Sequence, residues 1–176
     1  MSILCGIDEA GRGCLAGDLV IAGVVLKNPI DGLCDSKKLS EKKREELYNK
    51  IIENSKYHIV KFSPKEIDQK GLSWCLANGL ESIQNNIEAD VYLFDGNHTF
   101  GVLGITTMIK ADTKIPEVSA SSILAKVTHD RAIREANKIY PQYQFDKNKG
   151  YGTKMHKEAI KEFGYCDIHR RSFKIK

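Results

Sequence analysis

No stretch of the 176 residues approaches the roughly 18 consecutive apolar residues that a membrane-spanning helix needs. The N-terminus, MSILCGIDEA, holds one short apolar segment with no basic region before it. Neither a spanning helix nor a secretory leader is expected, and the chain reads as a cytoplasmic protein. The five cysteines, Cys5, Cys14, Cys34, Cys75 and Cys166, are odd in number and spread widely, and no C-x-x-C pair occurs. This argues against a disulfide framework and a zinc knuckle and leaves reduced thiols. Also missing is the glycine pattern of a phosphate loop, which weighs against a nucleotide-binding regulatory domain. Nor is there an internal repeat, a low-complexity tract or a linker. With 41% hydrophobic residues, the chain has the length for one sizeable core, so a single domain over 1–176 is expected.

Charge of one sign is scarce in total but not in place. The net charge is +4, yet from Lys147 onward nine Lys or Arg face three acids, a local charge of +6. That tail is a candidate contact for a polyanion, although a solvated helix face with a basic end has the same composition.

The periodicity predicts a mixed α/β order. Ile3 to Asp8 and Leu19 to Leu26 read as strands joined by the glycine-rich GRGCLAG. Ser40 is placed to cap the helix EKKREELYNKIIEN, and Tyr57 to Phe62 forms a third strand. Ser63-Pro64-Lys65-Glu66 combines a cap, a first-turn proline and a capping-box glutamate. Helix is expected again over Leu72 to Ile87, with strands over Val91 to Phe94 and Val102 to Ile109. Two further helices are expected over Ser119 to Ile139 and Thr153 to Phe163, the second ended by Gly164.

Four acids fall where a strand has just ended or is ending: Asp8, Glu9, Asp95 and Asp112. In α/β sheets the crevice beyond the carboxyl ends of strands receives ligands. Carboxylates gathered there repel one another unless a cation lies between them. Oxygen-only ligands suit Mg²⁺ or Mn²⁺, and two such ions about 3.5–4 Å apart activate a water and stabilise a leaving oxygen in phosphodiester hydrolysis. Each acid also has an ordinary explanation, since Asp95 before glycine is a turn residue and Asp112 before Thr113 a loop residue. Taken alone, the residues leave both readings open.

The stretch GIDEAGRG, Gly6 to Gly13, resembles the signature of the ribonuclease HII family. Five further blocks resemble it in the same order. They are Asp35-Ser36-Lys37-Lys38-Leu39, then Phe94-Asp95-Gly96-Asn97, then Lys110-Ala111-Asp112 with Ser119 to Val127, then Lys149-Gly150-Tyr151-Gly152-Thr153 with His156, and finally His169-Arg170-Arg171-Ser172-Phe173. Asp18 and Asp167 stand where the family commonly has proline.

The resemblance implies a ribonuclease H-like fold, a central five-stranded mixed sheet flanked by helices, with a small helical substrate-binding part over about 140–176. It implies that Asp8, Glu9, Asp95 and Asp112 are catalytic and hold Mg²⁺ or Mn²⁺, with Asp8 bridging two ions. One ion would prepare the attacking water and the other would stabilise the departing 3′-oxygen. The substrates implied are the RNA strand of RNA–DNA hybrids and single ribonucleotides embedded in duplex DNA, cut on their 5′ side. Gly11, Arg12 and Gly13 would meet the 2′-hydroxyl through main-chain groups, because glycine lets backbone approach closely. Tyr151 would add to that recognition and pack on the following deoxyribose. Lys37, Lys38, Lys126, Arg170 and Arg171 are candidate phosphate contacts, with Ser121 and Ser122 near a helix N-terminus. No membrane partner and no clamp-binding C-terminal peptide are expected, and a monomer suffices. Competing readings are a catalytically weak hybrid-binding module of the same fold and an enzyme of the ribonuclease HIII type, which lacks the Gly-Arg-Gly signature.

Overall fold

Two runs of apolar and β-branched residues at the start of the chain form β1 (Leu4–Ala10) and β2 (Leu19–Leu26), an antiparallel pair in which Gly6 faces Val24 and Ala10 faces Val20. In this computed structural model the described residues are 1–176, except for the side chains of Asp35, Ser36 and Lys37. β3 (Ser55–Phe62) extends the sheet antiparallel on the far side of β2, while β4 (Val91–Asp95) and β5 (Ile105–Met108) add in parallel beyond β1. The order is β3-β2-β1-β4-β5, the expected five-stranded mixed sheet.

Strand alternation divides the sheet's side chains between two cores. On one face Cys5, Ile7, Leu19, Ile21 and Phe94 meet Ile67 of α2 (Pro64–Lys70) and Leu76, Leu80 and Ile83 of α3 (Leu72–Asn86). On the other, Val20, Ala22 and Val24 meet Leu47 and Ile51 of α1 (Glu41–Asn54) and Ile123, Leu124 and Val127 of α4 (Pro116–Ile139). Each fully buried Leu or Ile contributes roughly 1.5–3 kcal/mol, so these two layers carry the sheet. A third cluster joins Leu15, Ala16 and Ile133 to Tyr143, Phe145, Ala159, Ile160 and Cys166, which anchors α5 (Phe145–Asn148) and α6 (Lys154–Phe163) to the β1–β2 connection.

Most helix starts follow the local chemistry. The Ser40 hydroxyl accepts from Lys43 N–H, Ser63 and Glu66 form the capping box, and Thr153 accepts from His156 N–H. Several boundaries differ from expectation, two of them by three residues. α4 begins at Pro116, in the first-turn position where its fixed φ costs nothing. β5 is shorter than Val102 to Ile109, because left-handed Gly104 (φ 76) and Lys110 (φ 56) bend the chain out of line at both ends. No helix among the described residues is long and apolar enough to cross a membrane.

A close backbone contact between sheet and helix lies beneath the acidic residues of β1. A Cβ on Gly6 would overlap the main chain of Glu117 and Val118, so only glycine there lets α4 rest on β1. The first turns of α4 are thereby brought beside Asp8.

Candidate active site

β1 and β4 run in parallel with Ile7 paired to Phe94, so the next residue on each strand, Asp8 and Asp95, lies side by side. Both point to the α4 face. Asp112 comes from a 3₁₀ turn, Ala111–Thr113, that follows β5, and its backbone N–H donates to Asp95 Oδ2 at 3.1 Å. One carboxylate oxygen from each of Asp8, Asp95 and Asp112 lies within 4.8 Å of the other two. Asp112 is only 3% exposed.

Glu9 is oriented differently. It follows Asp8 within β1, so alternation turns its side chain to the α3 face with Cys5 and Ile7. Its Oε1 lies 3.4 Å from Arg12 Nη1, and its Oε2 is buried with no hydrogen-bond partner. The four expected acids thus resolve into three gathered aspartates and a glutamate at their edge. Asp8 and Glu9 are both inside the strand rather than beyond it.

The electrostatics of the group are unfavourable by themselves. Burial, then the charges of Glu9 and Asp95, hold the Asp8 carboxyl well above its ordinary value, despite donors from Glu9 N–H and the Ser122 hydroxyl. Burial also raises Glu9, with Arg12 opposing. Desolvated like charges disfavour ionisation, and a hard cation bound by oxygens reverses that. The donor set is all oxygen and includes an orphaned buried carboxylate oxygen, so it fits Mg²⁺ or Mn²⁺ and is unsuited to softer metals.

Next to the acids, the loop Gly11–Gly13 is built from behind. Arg170, 1% exposed, donates from Nε to Gly17 O (3.0 Å), from Nη1 to Arg12 O (3.1 Å) and from Nη2 to Gly11 O (2.6 Å). This corrects the expectation that Arg170 contacts phosphate: its planar fork is enclosed, and it matches three carbonyls of one loop. Gly11 has φ 81, and a Cβ there would stand 2.6 Å from both Asp18 O and His129 Cδ2. A Cβ on Gly13 would meet nothing within 4 Å, so its glycine keeps open a space that faces outward.

Tyr151 lies beside the same loop, its hydroxyl hydrogen-bonded to the Gly11 backbone and the Cys14 thiol. Gly150 O accepts from Leu15 N–H at 2.8 Å, which ties its segment to the glycine loop. Its ring is 42% exposed and its centroid lies 6.3 Å from that of His129. Burial of the hydroxyl end, then the nearby Cys14 thiol, pushes its pKa up to about 12, so it remains a neutral donor.

The other expected contacts divide. Lys126 Nζ donates to Asp130 Oδ2 at 2.9 Å and stays partly exposed. Lys38 is exposed. Arg171 is exposed, with its guanidinium 5.8 Å from the Tyr165 ring centroid and its N–H donating to Asp68. The Lys37 side chain lies outside the described residues. Ser121 is a correction. Because α4 starts at Pro116, Ser121 sits more than a turn inside it, fully buried, with its hydroxyl donating to Val118 O. Its neighbour Ser122 reaches Asp8 instead.

Sequence reasoning missed His129 and Asp130. His129 is 2% exposed, with Nδ1 3.1 Å from Asp130 Oδ1 and Nε2 3.6 Å from Cys14 Sγ. Although burial opposes it, hydrogen bonds from His129 and Lys126 hold Asp130 at about 2. The ring forms the floor under Gly11. The one available signal was the His-Asp pair on the face of a long helix otherwise rich in apolar residues.

A protein-family model described as Ribonuclease HII matches residues 5–176. Curated proteins named ribonuclease HII from Sulfurovum sp. (strain NBC37-1) and Aliarcobacter butzleri (strain RM4018) are 64% and 57% identical to the chain. The first alignment covers 98% of this chain and 92% of the relative, the second 100% and 93%. Among solved structures, the ribonuclease HII of Archaeoglobus fulgidus, determined in complex with PCNA, superposes with a TM-score of 0.84 at 29% identity, covering 99% of this chain and 96% of that one. The ribonuclease H2 of Pyrococcus horikoshii OT3 gives 0.82 at 30% identity, covering 98% and 94%. The ribonuclease H3 of Aquifex aeolicus, at 21% identity and a TM-score of 0.70, shares the fold alone. With the family model spanning nearly its whole length and relatives this similar at full coverage, the chain belongs to the ribonuclease HII family and is a ribonuclease H enzyme.

Proposed function

We propose that this endonuclease of RNA–DNA hybrids also incises duplex DNA on the 5′ side of a single embedded ribonucleotide, with Asp8, Glu9, Asp95 and Asp112 as its catalytic acids and Mg²⁺ or Mn²⁺ as cofactor. The observation that carries this reading is the adjacency of two features: three carboxylates within 4.8 Å of one another, and the Gly11–Gly13 loop, which leaves the strand that bears Asp8 and whose Arg12 Nη1 lies 3.4 Å from Glu9 Oε1.

When bound, a pair of divalent cations supplies a water of lowered pKa and neutralises charge on the departing oxygen. The chain's own groups do the rest. Asp8, Asp95 and Asp112 are the ligands, with Glu9 completing the set from the edge. Ser122 and Glu9 N–H orient the Asp8 carboxylate, and Asp112 N–H orients that of Asp95. In the reaction, water oxygen bonds to phosphorus and the bond from phosphorus to the 3′-oxygen breaks. A 3′-hydroxyl is left on the upstream strand and a 5′-phosphate on the ribonucleotide.

Selectivity follows from geometry beside the acids. Only the 2′-hydroxyl distinguishes a ribonucleotide at a given backbone position. Gly11, Arg12 and Gly13 meet it with main-chain groups, held at fixed height by Arg170. Tyr151 lies against the next sugar, and a flat apolar ring favours one without a 2′-hydroxyl. Lys38 and Arg171, which are exposed, and Lys126, partly exposed and paired with Asp130, are cations suited to phosphates along the path, and the helical part over about 140–176 carries the substrate-binding surface. All of these residues belong to one chain, so a monomer is sufficient.

The test is incision of duplex DNA carrying one ribonucleotide, with product ends identified, under Mg²⁺ and under Mn²⁺. Cutting 5′ of the ribonucleotide is expected. An intact substrate under both metals refutes the proposal, and metal binding without turnover leaves a hybrid-binding module.

A further inference from the structure

Tyr151 stands between Gly150 and Gly152, residues that lend a backbone little stiffness. Its peptide is held from outside. Tyr151 N–H donates to Asn148 O at 2.9 Å, and its carbonyl accepts from Thr153 N–H at 2.8 Å. The same carbonyl lies 2.8 Å from His156 Nδ1. His156 Nε2 is in turn 3.0 Å from His169 Nε2, and His169 Nδ1 is 2.9 Å from the N–H of Cys166.

The two ends of this chain dictate where its protons are. A backbone N–H only donates, so His169 Nδ1 is bare and its neutral ring carries the proton on Nε2. A carbonyl only accepts, so His156 Nδ1 carries a proton and its Nε2 is bare. The ε-nitrogens then meet as donor and acceptor. All bonds run in one direction, from Cys166 through both rings to Tyr151. One added proton would set two N–H groups against each other.

The surroundings favour the neutral pair. His156 and His169 are buried, with Tyr143 4.8 Å from His169 and Phe145 5.4 Å from His156, ring centre to ring centre. The titratable groups facing them are Tyr143, whose hydroxyl donates to Gly164 O, then Tyr165, Cys166 and Arg171. Burial lowers both imidazoles, His169 to about 4.

We propose that His156 and His169 are positioning residues for substrate selection. They form a directional chain of two neutral imidazoles that fixes the Tyr151 peptide, and through it the aromatic ring at the ribose-to-deoxyribose step. This rests on the reading of Tyr151 given above. Neither histidine touches substrate or cation in this assignment, and neither acts as a general base.

The experiment uses the full chain in two readouts. In nitrogen-15 NMR of the imidazoles at neutral pH, His169 is expected as the Nε2–H tautomer and His156 as the Nδ1–H tautomer. Averaged tautomers or a charged ring overturn the chain. The second readout is the ratio of incision at one ribonucleotide followed by DNA to cleavage within a uniform hybrid, for wild type, Tyr151→Ala, His169→Ala, His169→Gln and the double variant Y151A/H169A. His169→Ala is expected to lower the ratio roughly tenfold, the scale of one buried hydrogen bond. His169→Gln keeps a donor near the Nε2 position and should stay within about threefold of wild type. The double variant should fall no further than Tyr151→Ala alone. A wild-type ratio in His169→Ala, alongside a reduced one in Tyr151→Ala, overturns the positioning role and leaves the Tyr151 reading standing. An unchanged ratio in Tyr151→Ala removes that reading and the selection role with it, while the NMR result still judges the proton chain. If His169→Ala fails to fold, His169→Gln decides: a ratio as low as that of Tyr151→Ala overturns the proposal.

Discussion

The acidic strand ends and the frame behind the glycine loop lie next to each other and are built on opposite terms. Around Asp8 the groups resist their own arrangement, since burial and neighbouring charge raise the carboxyl and an oxygen of Glu9 has no partner. Behind Gly11 the groups satisfy one another, with a buried guanidinium meeting three carbonyls and two imidazoles meeting in a single proton order. The first region is incomplete without a cation, and the second is complete as folded. A carboxylate cluster whose charges oppose one another is thus set against a loop whose frame satisfies its own polar groups.

Asp8→Asn should break the first region alone. Cleavage is expected to fall by on the order of a thousandfold or more, while hybrid binding in a gel-shift or fluorescence assay is retained. Arg170→Ala should break the second. Removing the fork leaves loop carbonyls unsatisfied and a void, at a cost of about 3–5 kcal/mol, visible as a Tm lower by roughly 10 °C. Arg170→Lys should recover little of this, because an ammonium cannot span three carbonyls. Adding Mg²⁺ at about a hundred times its Kd should raise the wild-type Tm, through roughly 2.7 kcal/mol of linkage, and should raise that of Asp8→Asn far less. Equal shifts in the two proteins would place the stabilising cation elsewhere.

Smaller effects sharpen the contrast further. A Cβ on Gly13 meets nothing in the protein, so Gly13→Ala should keep the wild-type Tm and lose about tenfold on a single-ribonucleotide substrate. The smallest effect is with pH. His169 is lowered to about 4 by burial, so between about 4 and its ordinary 6.5 the unfolded chain binds more protons than the folded one. Stability from this pair is full above about 6.5 and is lost as pH falls toward 4. Thermal melts at saturating Mg²⁺ should show that slope in wild type and a shallower one in His169→Gln.

Local signals carried much of this architecture in the sequence. Ser40, the Ser63 capping box and Thr153 mark helix starts because their hydroxyls satisfy N–H groups within the same turn, a chemistry visible in four consecutive residues. The acids were visible because an apolar run precedes each of them, although β1 continues past Asp8 and Glu9 to Ala10. What escaped depends on distant partners. Arg170 in a basic tail looks like a phosphate contact until the fold encloses it against Gly11 and Gly17. Ser121 looks like an N-terminal residue until Pro116 starts the helix early. His129 and Asp130 gain their role only when α4 lies under the loop, a contact that Gly6 permits without any periodic pattern to reveal it.

The bond from Arg170 to Gly11 O joins positions 159 residues apart. During synthesis from the N-terminus, the strands and the turn that bear Asp8, Asp95 and Asp112 leave the ribosome well before Arg170 does. A nascent chain can hold all three aspartates while its Gly11–Gly13 loop still lacks the guanidinium that frames it. The frame behind the Gly11–Gly13 loop is therefore completed only once Arg170 has been made.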